Sequence, residues 1–160
     1  MLNVMLICVG KMREKYYTEA FAEYAKRLGA YCRFSCLEIA EQRLGDAPSE
    51  AEIAAALDRE GAEILKAVPD DAYFVALCVE GKGLPSEAMA RLIKERADSG
   101  KPKLCFAVGG SYGLSDAVKA RADLKLSMSA MTFPHHLARV MLAEQIYRGF
   151  KILEGSRYHK

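Results

Sequence analysis

The chain lacks a strong excess of either charge: 23 lysines and arginines stand against 21 aspartates and glutamates in 160 residues. A strongly basic surface that would advertise a polyanionic partner is therefore excluded, although a local basic patch is compatible with a net charge of +2. Long hydrophobic runs are also missing, and none approaches the roughly 20 residues of a membrane span. Met1-Leu2-Asn3 leads straight into a strand-length apolar stretch, with no charged start or small-residue cleavage site. The expectation is a soluble, cytoplasmic protein with no membrane partner. Repeats and low-complexity linkers are absent, and the length fits one domain over residues 1–160 with room for a real core.

Cysteine is sparse and odd in number, at positions 8, 32, 36, 78 and 105. Three of the five lie in apolar runs that read as buried strands, which favours reduced core thiols over a disulfide framework. Cys32-x-x-x-Cys36 has no second ligand pair downstream, and adjacent His135-His136 lacks the spacing of metal ligands, so no metal is expected. A dinucleotide fold would carry Gly-x-Gly-x-x-Gly after its first strand, but Val9-Gly10-Lys11-Met12 has a single glycine there. The Gly-Lys-Ser/Thr ending of a phosphate loop is missing too.

What is present is an alternation of strands and helices. Leu2 to Val9 is continuously apolar, and Tyr17, Phe21, Tyr24 and Leu28 then recur at helical steps. Tyr31 to Ile39 alternates like a half-exposed strand, and Ser49-Glu50-Ala51-Glu52 is a capping box opening a helix to about Ala67. Tyr73 to Val79 is the next strand, closed by Glu80-Gly81-Lys82-Gly83, and Pro85-Ser86-Glu87 starts a helix that ends near Gly100. Lys103 to Val108 is another buried strand, a short helix covers Asp116 to Ala122, and Leu124 to Met128 follows as a strand. Pro134 opens a last helix through Leu153. The pattern predicts a single-domain α/β fold, a mainly parallel sheet sandwiched by helices.

The most informative stretch runs from Ala107 to Phe133 and on into Pro134-His135-His136. Two strand-like runs there each end in a loop of small residues, Gly109-Gly110-Ser111-Tyr112-Gly113 and Met128-Ser129-Ala130-Met131-Thr132-Phe133. Glycines let backbone approach a ligand and adopt positive φ. The second loop offers amides and carbonyls with few side chains to block a flat ring. Side by side, the two loops suit a ligand-binding sheet edge.

VGGSYGLS, LSMSAMTFPHHLARVMLAEQIYRGFKILEG and the terminal Tyr158-His159-Lys160 resemble the RlmH-type, SPOUT-class (α/β-knot) methyltransferases that act on N3 of a pseudouridine in large-subunit ribosomal RNA. The resemblance covers essentially the whole chain. It implies a trefoil-knotted α/β fold, an exception to the rule against threaded chains, and a homodimer that completes the site. It also implies S-adenosylmethionine as cofactor, contacted by Leu77, Gly109, Met128, Ser129, Ala130, Met131, Thr132 and Phe133. The sulfonium is already an activated methyl donor, so such a protein chiefly aligns donor and nucleophile and desolvates them. The pseudouridine N3 proton must leave, and its acceptor could be Glu144, His136, His159 or water.

Arg139, Arg148, Lys151, Arg157, His159 and Lys160 are concentrated near the C-terminus, and Tyr158 could stack on a base. Arg139, Tyr158, His159 and Lys160 are the candidate RNA contacts. Leu137, Val140, Met141, Ala143, Ile146, Tyr147, Phe150, Ile152 and Leu153 wrap more than one face of the last helix, consistent with a homodimer. The expectation is methyl transfer to ribosomal RNA within the large subunit or assembled ribosome. The alternatives are a knotted tRNA methyltransferase and a non-catalytic RNA- or nucleotide-binding module associated with the ribosome.

Overall fold

In a computed structural model, which describes residues 1–160, each apolar run becomes a strand and each amphipathic stretch a helix. The order is β1 Asn3–Val9, α1 Lys15–Leu28, β2 Arg33–Ile39, α2 Glu50–Ala67, β3 Tyr73–Gly83, α3 Ser86–Asp98, β4 Lys103–Val108, α4 Asp116–Arg121, β5 Leu124–Ser127 and α5 His135–Leu153. The five strands form one sheet in the order β2-β1-β4-β3-β5, and every pairing is parallel.

Period-two alternation sorts the strand side chains between two layers. Val4, Leu6 and Cys8 of β1 join Leu104, Phe106 and Val108 of β4 on the face covered by α1, α3 and α5, against Leu28, Ile93, Leu142 and Ile146. Ile7, Val9, Phe74, Cys105 and Ala107 point the other way, under Ile64 of α2 and Val118 of α4. The Ser49 capping box is present, with Glu52 N–H donating to Ser49 Oγ at 3.1 Å and Ser49 N–H to Glu52 Oε2 at 3.3 Å. Cys8, Cys32 and Cys105 are buried free thiols, and burial pushes those of Cys32 and Cys105 up to about 12.

Two features depart from the sequence reading. First, β3 does not stop at Val79. Leu77 pairs with Leu126, four residues bulge outward, and Lys82 and Gly83 then pair with Leu126 and Ser127. Second, α5 lies on the sheet with α1 on one flank and α3 on the other, so Tyr147 packs near Tyr24 and Tyr31 while Gly149 lies against Ile93 and Ala90. Its broad apolar girth is used inside one chain, and Val140 is buried there. The girth of α5 therefore carries no separate argument for a dimer.

Candidate active site

The C-terminal ends of β3, β4 and β5 open into a cleft with a cavity volume of about 340 Å³, within the range of small-molecule sites. Leu77, Val108, Leu114 and Leu126 form its apolar walls, and the 109–113 and 127–133 segments form its rims. Both rims are backbone. Of the six amides from Met128 to Phe133 only that of Met131 is engaged, donating to Ser129 Oγ at 3.0 Å. The Ser127 hydroxyl donates to the Ser129 carbonyl at 3.1 Å and so holds the loop's curvature. Five amides are left free beside an apolar pocket, an arrangement that suits the edge of a polar, flat ligand.

The opposite rim is a tight turn in which Gly113 N–H donates to the Gly110 carbonyl at 3.0 Å. Gly113 has a φ of 83°, the left-handed region that favours glycine. Gly109 is required for a different reason: a Cβ there would collide with the Gly113 carbonyl. The turn folds back on itself, so the first glycine serves the loop's own packing as well as any ligand.

Charge in the cleft is balanced locally. Lys119 Nζ meets Glu80 Oε1 at 2.6 Å, and that hydrogen bond lowers the Glu80 carboxyl and raises the Lys119 ammonium. His135, on the first turn of α5, also lines the cleft. Burial first, and adjoining His136 second, depress its imidazole below the ordinary value. The mouth carries exposed apolar side chains: Val79 is 64% exposed, Tyr112 52% and Met131 75%.

Of the sequence-derived cofactor positions, Leu77, Gly109, Met128, Ser129, Met131, Thr132 and Phe133 line this cleft together. Ala130 turns instead into a shallow neighbouring depression with Val79, Gly81 and Gly83. His136 does not line the cleft. Its Nδ1 faces Glu14 Oε2 at 3.5 Å, and its buried Nε2 has no partner. The sequence reading singled out His136 and passed over its neighbour. Residues one apart at a helix start point about 100° apart, and only the fold shows which of the two faces inward.

Glu144, Tyr158 and His159 gather elsewhere, beside a groove with a volume of about 550 Å³ lined by Tyr24, Ser86, Met128, Val140, Glu144 and Gln145. Tyr158 OH donates to Glu144 Oε1 at 3.1 Å, and Arg148 Nη2 donates to the same oxygen at 2.6 Å. Burial and that carboxylate push the Tyr158 phenol up to about 12. His159 sits between Glu87, 2.9 Å from Nε2, and Arg148, 3.4 Å from Nδ1. Lys160 is exposed. Glu144 is thus held by a guanidinium and a phenol, both on Oε1.

Arg139 requires a correction. Its side chain is 1% exposed, so it offers nothing to an external RNA. Its guanidinium donates to Glu38 Oε2 at 2.8 Å and to the Gly10 carbonyl at 2.8 Å, tying the start of α5 to the ends of β1 and β2. The cause is helical phase: Arg139 shares the inward stripe of Leu142, Ala143 and Ile146, and Glu38 and the Val9 and Gly10 carbonyls take its Nη hydrogens while its Nε stays without a partner.

A family model described as "Predicted SPOUT methyltransferase" matches residues 2–159. The "Ribosomal RNA large subunit methyltransferase H" of Bacillus pumilus is 47% identical over 159 residues, covering 99% of this chain and all of the relative. Proteins of the same name from Streptococcus thermophilus and Clostridium beijerinckii are 46% and 45% identical over the same length, each covered in full. Among solved structures, a probable methyltransferase from Bordetella pertussis Tohama I superposes with a TM-score of 0.55. That match is 16% identical and covers 91% of this chain and 93% of the other, so it speaks for the fold alone.

Proposed function

The chain belongs to the SPOUT methyltransferase family, and from that premise we propose that it transfers the methyl group of S-adenosylmethionine to N3 of a pseudouridine in large-subunit ribosomal RNA. The observation that carries the reading is convergence. Seven of the eight positions assigned to the cofactor by resemblance line one cleft, at the strand ends where open α/β sheets bind ligands. The fit is chemical as well as positional: amides without partners would supply donors for a heteroaromatic edge, and the leucine and valine walls suit its faces.

When bound, the cofactor supplies an already activated methyl group on a cationic sulfur. The chain's own work is then to align and to exclude water. The 128–133 amides and the 109–113 turn would hold the ligand through backbone rather than rotatable side chains, which would set its orientation ahead of the substrate. The paired Glu80 and Lys119 add little net field, so the cleft does not repel a cation.

Tyr158, His159 and Lys160 are the proposed contacts to the target nucleotide, with the groove beside Glu144 as the neighbouring surface. The apolar mouth at Val79, Tyr112 and Met131 supports a homodimer in which the partner covers the cleft. The knot implied by the resemblance belongs to the same proposal, with the 128–134 segment crossing from the β5 edge towards Gly10, just past β1, before α5 begins. No helix is long and apolar enough to cross a membrane, and a ribosomal substrate places the enzyme in the cytoplasm. A net charge of +2 favours a target already shaped within the ribosome over naked RNA, because affinity for free RNA grows with the phosphates neutralised.

The test is methyl incorporation from tritiated S-adenosylmethionine into intact ribosomes, extracted ribosomal RNA and tRNA in parallel. Label in the large-subunit RNA of ribosomes, at a pseudouridine, is expected. Label in tRNA, or cofactor binding without transfer to any of the three, would overturn the assignment.

A further inference from the structure

We propose that His135 is the inner end of a proton-exit path, taking the proton that leaves the acceptor nitrogen as the methyl arrives, and that His136 and Glu14 hand it to solvent. The proposal rests on the methyltransferase reading above and assigns within it a role that neither the resemblance nor the sequence placed at this residue.

The cleft contains five titratable side chains: Cys78, Glu80, Tyr112, Lys119 and His135. Glu80 and Lys119 neutralise each other at 2.6 Å. Burial raises the Cys78 thiol, and Tyr112 is an exposed phenol at the mouth. His135 alone combines a basic nitrogen with a place inside the cleft. The candidates beside the neighbouring groove are occupied, Glu144 by Arg148 and Tyr158, His159 by Glu87 and Arg148. A half-buried imidazole depressed below its usual value is neutral at physiological pH and free to accept.

A proton taken into a half-closed site also needs a way out. The His135 and His136 rings touch, with centroids 4.1 Å apart. Their Nε2 atoms converge on one place, at 3.9 and 3.8 Å from where a Cβ on Gly10 would stand. His136 Nε2 is buried without a partner, and its Nδ1 looks outward to Glu14 Oε2 at 3.5 Å, with Glu14 44% exposed. The rings thus lead from the cleft to a surface carboxylate. Two further groups face His135. Glu41, from the β2–α2 connection, favours its protonated form, and Arg139, one α5 turn on, disfavours it. Arg139 is committed to Glu38 and the Gly10 carbonyl, so it takes no part in transfer.

The step balances. The new nitrogen–carbon bond forms as the sulfonium carbon–sulfur bond breaks with its electron pair left on sulfur, and the N3 proton moves to the free nitrogen of His135. The imidazolium then returns to neutral by loss through His136 and Glu14 to water.

The experiment compares wild type, His135→Asn, His135→Gln and Glu14→Gln in single-turnover methyl transfer to intact ribosomes, from about pH 6 to about pH 9.5, with cofactor affinity from calorimetry alongside. At neutral pH the His135 variants should lose about 100-fold in rate, while cofactor affinity changes far less. Their rates should climb with pH and approach wild type where the imide ionises unaided. Glu14→Gln should show a smaller loss in the same direction. An independent readout needs no turnover. In long-range nitrogen–proton NMR spectra of the cofactor-free protein, the His135 ring should titrate below the roughly 6.5 of a free imidazole and move back towards it in His136→Asn. Wild-type transfer with an unchanged rate and pH profile in His135→Asn would overturn this proposal alone. Absence of transfer by the wild type would overturn the functional reading and the proposal with it.

Discussion

Leu126, Ser127 and Met128 border two cavities, and the two are built from opposite materials. On one side the cleft is rimmed by backbone, with free amides at 128–133 and a glycine turn that folds onto itself. On the other side the groove is lined by a chain of side-chain hydrogen bonds. Ser86 Oγ donates to Gln145 Oε1 at 2.7 Å, Gln145 Nε2 to Glu144 Oε2 at 2.9 Å, and Arg148 and Tyr158 close on the same carboxylate. A backbone site is indifferent to most side-chain changes and sensitive to shape. A side-chain network responds to each of its members. Under the proposed function the cofactor would sit in the first cavity and the target nucleotide would meet the second.

Deleting Tyr158, His159 and Lys160 should separate the two most widely. The loss of stacking and hydrogen-bonding contacts worth about 3 kcal/mol together should lower single-turnover methyl transfer to ribosomes by about 100-fold. Calorimetry should show nearly unaltered S-adenosylmethionine affinity. A truncated protein that transfers at the wild-type rate would make these three residues dispensable for recognition.

Next in size is Gly109→Ala, which should weaken cofactor binding by about tenfold, close to 1.4 kcal/mol, because even a methyl group meets the Gly113 carbonyl. Gly113→Ala has open space around its Cβ and bears only the cost of a positive φ, about 1 kcal/mol of strain. It should therefore affect affinity less. Equal affinities for wild type and a folded Gly109→Ala protein would break the link between turn shape and binding.

The finest contrast, between neighbouring residues, lies within the tail. Tyr158→Ala should cost about 1–3 kcal/mol in transfer. Lys160→Ala should cost less, since a single exposed lysine acts through a charge that dissolved salt screens. The Tyr158 ring carries the Arg148 guanidinium 4.7 Å from its centroid, and the Tyr147 ring packs edge-on with its centroid 5.1 Å away. A larger effect at Lys160 would mean that bulk attraction, not stacking, governs this region.

The backbone cavity was the more legible of the two in the sequence. Runs such as Lys103–Val108 and Leu124–Ser127 announce buried strands, and small residues directly after them announce loops where a ligand can approach. The parallel sheet followed from the same alternation. Its closing detail did not: Glu80-Gly81-Lys82-Gly83 reads as a polar strand end, whereas β3 resumes after its bulge because Gly81 lies directly on the backbone of Lys125 and Leu126. Arg139 was hidden by its charge. Its spacing to Leu142, Ala143 and Ile146 places it on the inward stripe, but only the nearby Glu38 carboxylate and Gly10 carbonyl make burial tolerable, and those partners are about 100 and 130 residues away in the chain. The preference for His135 over His136 needed the helix's rotation about its own axis, which a sequence leaves open at its first turn.

The most direct test of this division is to follow backbone amide resonances while S-adenosylmethionine is titrated into the protein. The account predicts shifts concentrated at Gly109–Leu114 and Met128–His135, with Glu144, Tyr158 and His159 little changed. Shifts concentrated at Glu144, Tyr158 and His159, with the two loops silent, would contradict it.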